Sequence, residues 1–295
     1  MRGENGKYEL LDHDTVETYD GRILRRVRAI SQIVAVGVRP GDLGGYLESE
    51  SNLEVSGDAW VFDSAWVYSG ARIFGSAQVS GDARVRDHAL VFGNAQVQED
   101  AQIFNNARLF GNARVSGEAE VSGNSQVHGD AWISDRAQVL SRAEISGSAH
   151  INGEAWVYGE ALIFGDARIY GDASVCGNAQ IFGDACIYGD ARVCGNAQIF
   201  GDARVYGDAQ VSKDALIKLE DHLGWFSVVG AVNGTVTWYR SFSGIRVVEG
   251  SFNGTLREFE TRVAEMTCSD KTAEEYRSLI AFIQTRAEKF IQGGE

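Results

Sequence analysis

Proline occurs once in the 295 residues, at Pro40, although glycine occurs 35 times. Disordered linkers carry both residues freely, so this imbalance excludes a linker-like chain and indicates a turn repeated at fixed spacing. Basic residues are also few. Lys and Arg number 27 against 41 Asp and Glu, for a formal charge of −14. Nucleic-acid backbones are held by clustered Lys and Arg, so this balance argues against direct nucleic-acid binding. It suits a protein that presents carboxylates to a basic partner. No apolar run approaches the length of a membrane span, and the opening MRGENGKYELLDHD has no apolar stretch of the secretory kind. The four cysteines, Cys176, Cys186, Cys194 and Cys268, have no CxxC spacing. The expectation is a cytoplasmic protein with reduced thiols. Threonine is missing from residues 53–217, which excludes the matched threonine ladders of an ice-binding solenoid.

What is present is a six-residue period. Alanine occupies position 59 and every sixth position to 215, with Ser125 the one exception. Two residues later, from Val61 to Ile217, the residue is always Val, Ile or Leu. The unit is A-x-[VIL]-x-G-[DN]. Residues two apart on a strand share a face, so alanine and the aliphatic point inward together. Gly and Asn or Asp accept left-handed backbone or bond their own chain, and so mark corners. A short strand and a corner make one side of a polygon. The best self-match gives the number of sides: residues 163–180 (IFGDARIYGDASVCGNAQ) and 181–198 (IFGDACIYGDARVCGNAQ) are near copies, eighteen apart. The sequence predicts an all-β solenoid, a triangular β-helix of about nine 18-residue coils stacked at roughly 4.8 Å. Its interior is filled and has no room for a ligand.

These hexads resemble the hexapeptide-repeat left-handed β-helix family. There, an aliphatic is followed four residues later by a small residue, as Val61 is by Ala65 and Ile73 by Ala77. The resemblance covers the array and implies left-handed coils. Many members are acyltransferases with a loop ejected from the coils and a histidine base at a subunit interface. No loop interrupts these hexads, and the histidines on offer are His88 at a corner and His128 and His150 on flat faces. No Ser-His-Asp set, phosphate loop, metal cluster or calcium nonapeptide G-G-x-G-x-D is evident. Cys186 reads as lying among Gln-rich neighbours without a basic group to activate it. Expected are no catalytic residue, no cofactor and no metal, with acyltransferase as the alternative.

The reading divides the chain into an N-terminal cap (1–52), the β-helix (53–217) and a C-terminal β-then-α module (218–295). In the cap, KYELL and RILRRVRAIS read as strands, and GDLGGYLESE leads into the first coil. This head resembles repeat proteins of bacterial and phage or prophage genomes. That resemblance implies a phage-encoded protein in the host cytoplasm, acting on a bacterial protein, for instance as an inhibitor of host defence. In the module, residues 225–230, 235–242 and 245–252 read as strands. GTLREFETRVAEM and TAEEYRSLIAFIQTRAEKF read as amphipathic helices, with apolar faces at Leu256, Phe259 and Val263 and at Tyr276, Leu279, Ile280 and Ile283. Whether this module closes the last coil or stands apart is left open by the pattern.

Outward residues recur in columns every eighteenth position. One column holds Phe74, Phe92, Phe110, His128, Ser146, Phe164, Phe182 and Phe200, and a second ends Tyr170, Tyr188, Tyr206. Stacked side chains stabilise neighbouring strands, which is the structural reading. An apolar ladder of this length also suits self-association or a docking partner, so a homo-oligomer is expected. Corner columns hold Glu154, Asp172, Asp190 and Asp208, and Asp166, Asp184 and Asp202. The turn alone accounts for Asp after Gly. The alternative is an acidic ridge that imitates nucleic-acid phosphates.

Overall fold

The computed structural model describes residues 6–230, 232–266 and 270–292. It forms two compact units that divide between Gly165 and Asp166. Both contain turns of a three-sided β-solenoid. Each hexad contributes a two-residue strand, from Trp60–Val61 to Leu216–Ile217, and then a corner. The first corner residue, every sixth from Gly57 to Lys213, has φ between 51° and 79°. Most are glycine, which adopts this conformation at little cost. Outward amides donate to the next turn seventeen residues on: Trp60 N to Ala77 O at 3.0 Å, Phe62 N to Val79 O at 2.7 Å, and the corner Asp58 N to Gly75 O at 2.8 Å. The inward residues are fully buried. Ala59, Val61, Ala65, Val67 and their successors have at most 1% exposure, so the interior is a filled column. Ser125 fits there because its hydroxyl donates to Ser122 O at 2.7 Å.

In the first unit, one sheet carries the rungs Trp66–Val67 to Trp156–Val157, a second Trp60–Val61 to His150–Ile151, and a third Arg72–Ile73 to Leu162–Ile163. The first sheet begins with a hairpin, β1 (Tyr8–Glu17) and β2 (Ile23–Ala29), followed by β3 (Leu43–Leu47). β3 pairs antiparallel with β2 and parallel with Trp66–Val67, and Leu53 bridges Ile73. A partial turn therefore precedes the first hexad, earlier than the alanine period shows.

The GDLGGYLESE head has a physical explanation. A Cβ on Gly44 would lie 2.4 Å from Val61 O, and one on Gly45 2.4 Å from Ala65 O. Glycine alone lets β3 seat on the first coil. The acids that follow serve the corners of that coil: Glu48 Oε2 accepts from Ser69 N at 2.6 Å, and Glu54 Oε2 from Gly75 N at 3.0 Å. Buried Asn52 donates to Ser69 O and Ala71 O at 3.0 and 2.9 Å. Tyr8 packs edge-on against buried Trp60, and its hydroxyl donates to Leu53 O at 2.7 Å. Lys7 Nζ donates to Glu54 O at 2.9 Å.

In the second unit, the three sides are Arg168–Ile169, Cys186–Ile187 and Arg204–Val205; Ser174–Val175, Arg192–Val193 and Gln210–Val211; and Gln180–Ile181, Gln198–Ile199 and Leu216–Ile217. A four-stranded antiparallel meander follows, β4 (Leu223–Val229), β5 (Gly234–Ser241), β6 (Gly244–Glu249) and β7 (Phe252–Thr255), then α1 (Leu256–Glu265) and α2 (Asp270–Gln292). β7 is a strand the pattern does not reveal. It ends where Thr255 caps α1, with Thr255 and Glu258 bonding each other's amides. The apolar helix residues read from the sequence meet the sheet: Phe259, Val263, Tyr276, Leu279, Ile280 and Ile283 bury with Val236, Trp238 and Val247, and Leu256 packs at their edge. The Tyr276 phenol donates to buried Glu249, and burial, then that carboxylate, hold its pKa far above the ordinary value. A Cβ on Gly230 would lie 2.1 Å from the Tyr276 oxygen.

The module closes the last coil. Ala215 bridges Ser241, Gln210 N donates to Thr237 Oγ1 at 3.0 Å, and Ser212 N donates to the Tyr239 hydroxyl at 3.2 Å. Asn253 Nδ2 donates to Ser212 Oγ, and Ser243 Oγ to Asp214 Oδ2 at 3.0 Å. These bonds satisfy edge groups that would otherwise face another chain.

Two predictions concern the N-terminal cap. Gly45→Ala forces a Cβ into the first coil and should lower stability by about 2 kcal/mol, read from urea unfolding. Burial holds Lys7 down from its ordinary 10.5 to about 8, against the attraction of Glu54 and Asp58. Between those values the unfolded chain carries the proton and the folded chain does not, so stability rises with pH across that window. Urea unfolding of wild type and Lys7→Met at about pH 7 and about pH 10 tests this: the wild type should gain relative to the variant at the higher pH.

Candidate interaction surfaces

Outward side chains follow the strand spacing, so like residues meet face to face. In the first unit, Phe74, Phe92, Phe110 and His128 form one stack, with centroids 4.7, 5.0 and 4.7 Å apart and planes within 7°. His128 thus continues the phenylalanine stack. Its Nε2 lies 3.1 Å from Glu144 Oε1. Arg72 and Arg108 lean over Phe74 and Phe92 at 5.7 and 5.8 Å. In the second unit, Phe182 stacks on Phe200 at 5.0 Å, and Tyr170, Tyr188 and Tyr206 stack at 4.9 and 5.0 Å. Stacking and the flanking guanidiniums leave most of these rings half-buried, and Phe164 alone in the phenylalanine column is exposed, at 37%. Burial is the main reason that the Tyr170 and Tyr188 hydroxyls titrate above their ordinary value.

Other exposed aromatics occur late in the first unit. Trp132, Trp156 and Tyr158 are exposed at 43%, 48% and 36%. His150 packs edge-on against Trp132 at 5.5 Å. Column reading missed them because none belongs to a run of like aromatics. The signal was their tryptophan or tyrosine identity at an outward position.

The acidic columns divide by role. Glu154 pairs with Arg136 at 2.7 Å, and Asp208 Oδ2 accepts from Ser227 Oγ at 3.2 Å. Asp172 and Asp190 have no such partner among the described residues, and neither do Asp166, Asp184 and Asp202. The acids that serve the fold lie elsewhere. Asp63, Glu99 and Asp135 occupy left-handed corners and accept the corner amides of Gly81, Gly117 and Gly153 in the next turn, at 3.0, 2.5 and 2.9 Å. Acid and glycine alternate down this column. Two stacked carboxylates would repel, and glycine leaves room: a Cβ on Gly81 would lie 2.7 Å from Glu99 N. Asp87 does the same for Asn105 at 3.0 Å.

The cysteines depart from expectation. Cys176 and Cys194, in register on adjacent turns, form a disulfide with Cα atoms 4.6 Å apart, so those two thiols are not reduced. Cys186 is a free thiol, and its in-register neighbours are Arg168 and Arg204, not glutamines. Its true neighbours lie eighteen residues away, not beside it in sequence. Cys268 lies outside the described residues. Among the described residues no group of three His, Cys, Asp or Glu is placed to hold a metal ion, and no helix is long and apolar enough to cross a membrane.

A cleft of about 500 Å³ opens in the second unit between the last turns and the terminal module. Arg204, Tyr206, Trp225 and Arg286 all line it. The Trp225 ring stands edge-on to Tyr206, 4.4 Å between centroids. Residues so distant in the chain carried no joint signal in the sequence.

One comparison with known families bears on this chain: a model of the YdcK beta-solenoid repeat matches residues 197–213. That stretch contains Arg204, Tyr206 and Lys213, and it lies within the observed solenoid turns. The match is to a repeat unit and agrees with the β-solenoid architecture. No curated protein matches the chain.

The two kinds of corner acid are separable by mutation. Asp135→Ala should cost about 1–2 kcal/mol, through left-handed alanine and a lost charge-assisted hydrogen bond. Asp190→Ala should stay within about 0.5 kcal/mol. Chemical unfolding of both variants checks the difference.

Proposed function

We propose that the chain is a non-catalytic scaffold whose outer faces and terminal modules bind protein, including copies of itself. The observation that carries this reading is the aromatic stacking on outer faces around an interior with at most 1% exposure. Ring edges remain at the surface in register, which suits a second flat surface better than a small substrate. Every hexad keeps the same length, leaving no ejected loop of the kind the hexapeptide-repeat acyltransferases use. The finer reading rests on resemblance. The chain is taken as a member of the hexapeptide-repeat family with a head like that of phage and prophage proteins. On that reading it acts in the bacterial host cytoplasm on a bacterial protein, for example as a defence inhibitor. Asp172 and Asp190, with no partner among the described residues, support an acidic contact with a basic partner. The Cys176–Cys194 disulfide favours a second reading of the compartment, an oxidising one.

Light scattering of the purified chain tests the self-association. The expected result is a mass at least twice that of the monomer, reduced to the monomer by Phe182→Glu with Phe200→Glu. A monomeric wild type overturns the self-association.

A further inference from the structure

We propose that the cleft between Arg204 and Arg286 binds a nucleoside phosphate. Two guanidiniums reach it from separate elements, Arg204 from a solenoid rung and Arg286 from α2. Among the described residues neither makes an ion pair, so both are available to an anion, and two guanidinium forks suit a phosphate. Tyr206 and Trp225 also line the cleft and pack edge-on against each other, so a flat ring meets their outer surfaces and does not enter between them. A volume of about 500 Å³ is in the range of small-molecule sites.

Glu220 and Asp221 also line the cleft, from the turn Glu220–His222. They balance the two guanidiniums, so a bare anion gains little net attraction. They accept hydrogen bonds from hydroxyl or amino groups, as acidic residues do toward ribose. A ligand with an anionic end, a flat ring and a donor-rich sugar uses all three features. His222, between them and the fold, is buried, and its Nδ1 accepts from Lys218 N at 3.3 Å. Burial, then Arg240, lowers its pKa, so it adds no further positive charge at neutral pH. The cleft shares Tyr206 with the tyrosine stack, but the light-scattering test rests on Phe182 and Phe200, neither of which lines the cleft, so the two readings fail separately.

Isothermal titration of the full chain with adenosine monophosphate, adenosine and inorganic phosphate is the test. The monophosphate should bind saturably and at least about tenfold more tightly than either fragment. Arg204→Gln and Arg286→Gln should each weaken it by about tenfold or more. Both residues lie at the surface, and circular dichroism confirms that the variants fold. Absence of saturable binding of the monophosphate overturns the proposal. So does unchanged affinity in the double variant, or phosphate binding as tightly as the nucleotide.

Discussion

Every sixth residue from Gly57 to Lys213 must turn left-handed, and most of the structure follows from that requirement. A left-handed residue at regular spacing bends the chain through the same corner each time, and three corners return it above itself. The amides then find carbonyls seventeen residues on, as Trp60 finds Ala77. The corner is the expensive element for any residue but glycine. Where Asp63, Glu99 or Asp135 takes that position, its carboxylate recovers stability by accepting the corner amide of the next turn.

Translation along each unit also governs the surface. Any outward residue faces its equivalent one turn away at the strand spacing, which favours rings over rings and disfavours charge over like charge. The phenylalanine and tyrosine stacks are the favourable case. The alternation of acid with glycine, and Arg136 between Glu118 and Glu154, are solutions to the unfavourable one. The ends need different chemistry because translation stops there. The first unit closes with glycines that admit close approach and with Glu48 and Glu54 in place of corner acids. The second closes with a sheet whose Thr237 and Tyr239 side chains receive the exposed amides.

The inward residues and corners were legible because a strict period carries them. Ala59 and Val61 repeat without variation in role, so one hexad predicts all the others. The apolar faces of α1 and α2 were legible for the same reason. β7 was not, because Phe252–Thr255 is short and runs directly into a capping box. The neighbours of Cys186 depend on the eighteen-residue offset, and local reading hid them. The cleft joins residues 204, 225 and 286, which no period relates.

The corner column from Asp63 to Gly153 repeats every two turns, not every turn. Acid, glycine, acid and glycine follow one another, and each acid here serves the glycine amide after it. Adding one 18-residue coil to this stretch would set carboxylate over carboxylate or glycine over glycine, whereas adding two preserves the alternation. In the second unit the same corner is glycine at Gly171, Gly189 and Gly207. A single coil repeats there without setting acid over acid at this corner, and residues 163–180 and 181–198 are such near copies. This corner thus repeats every two turns in the first unit and every turn in the second.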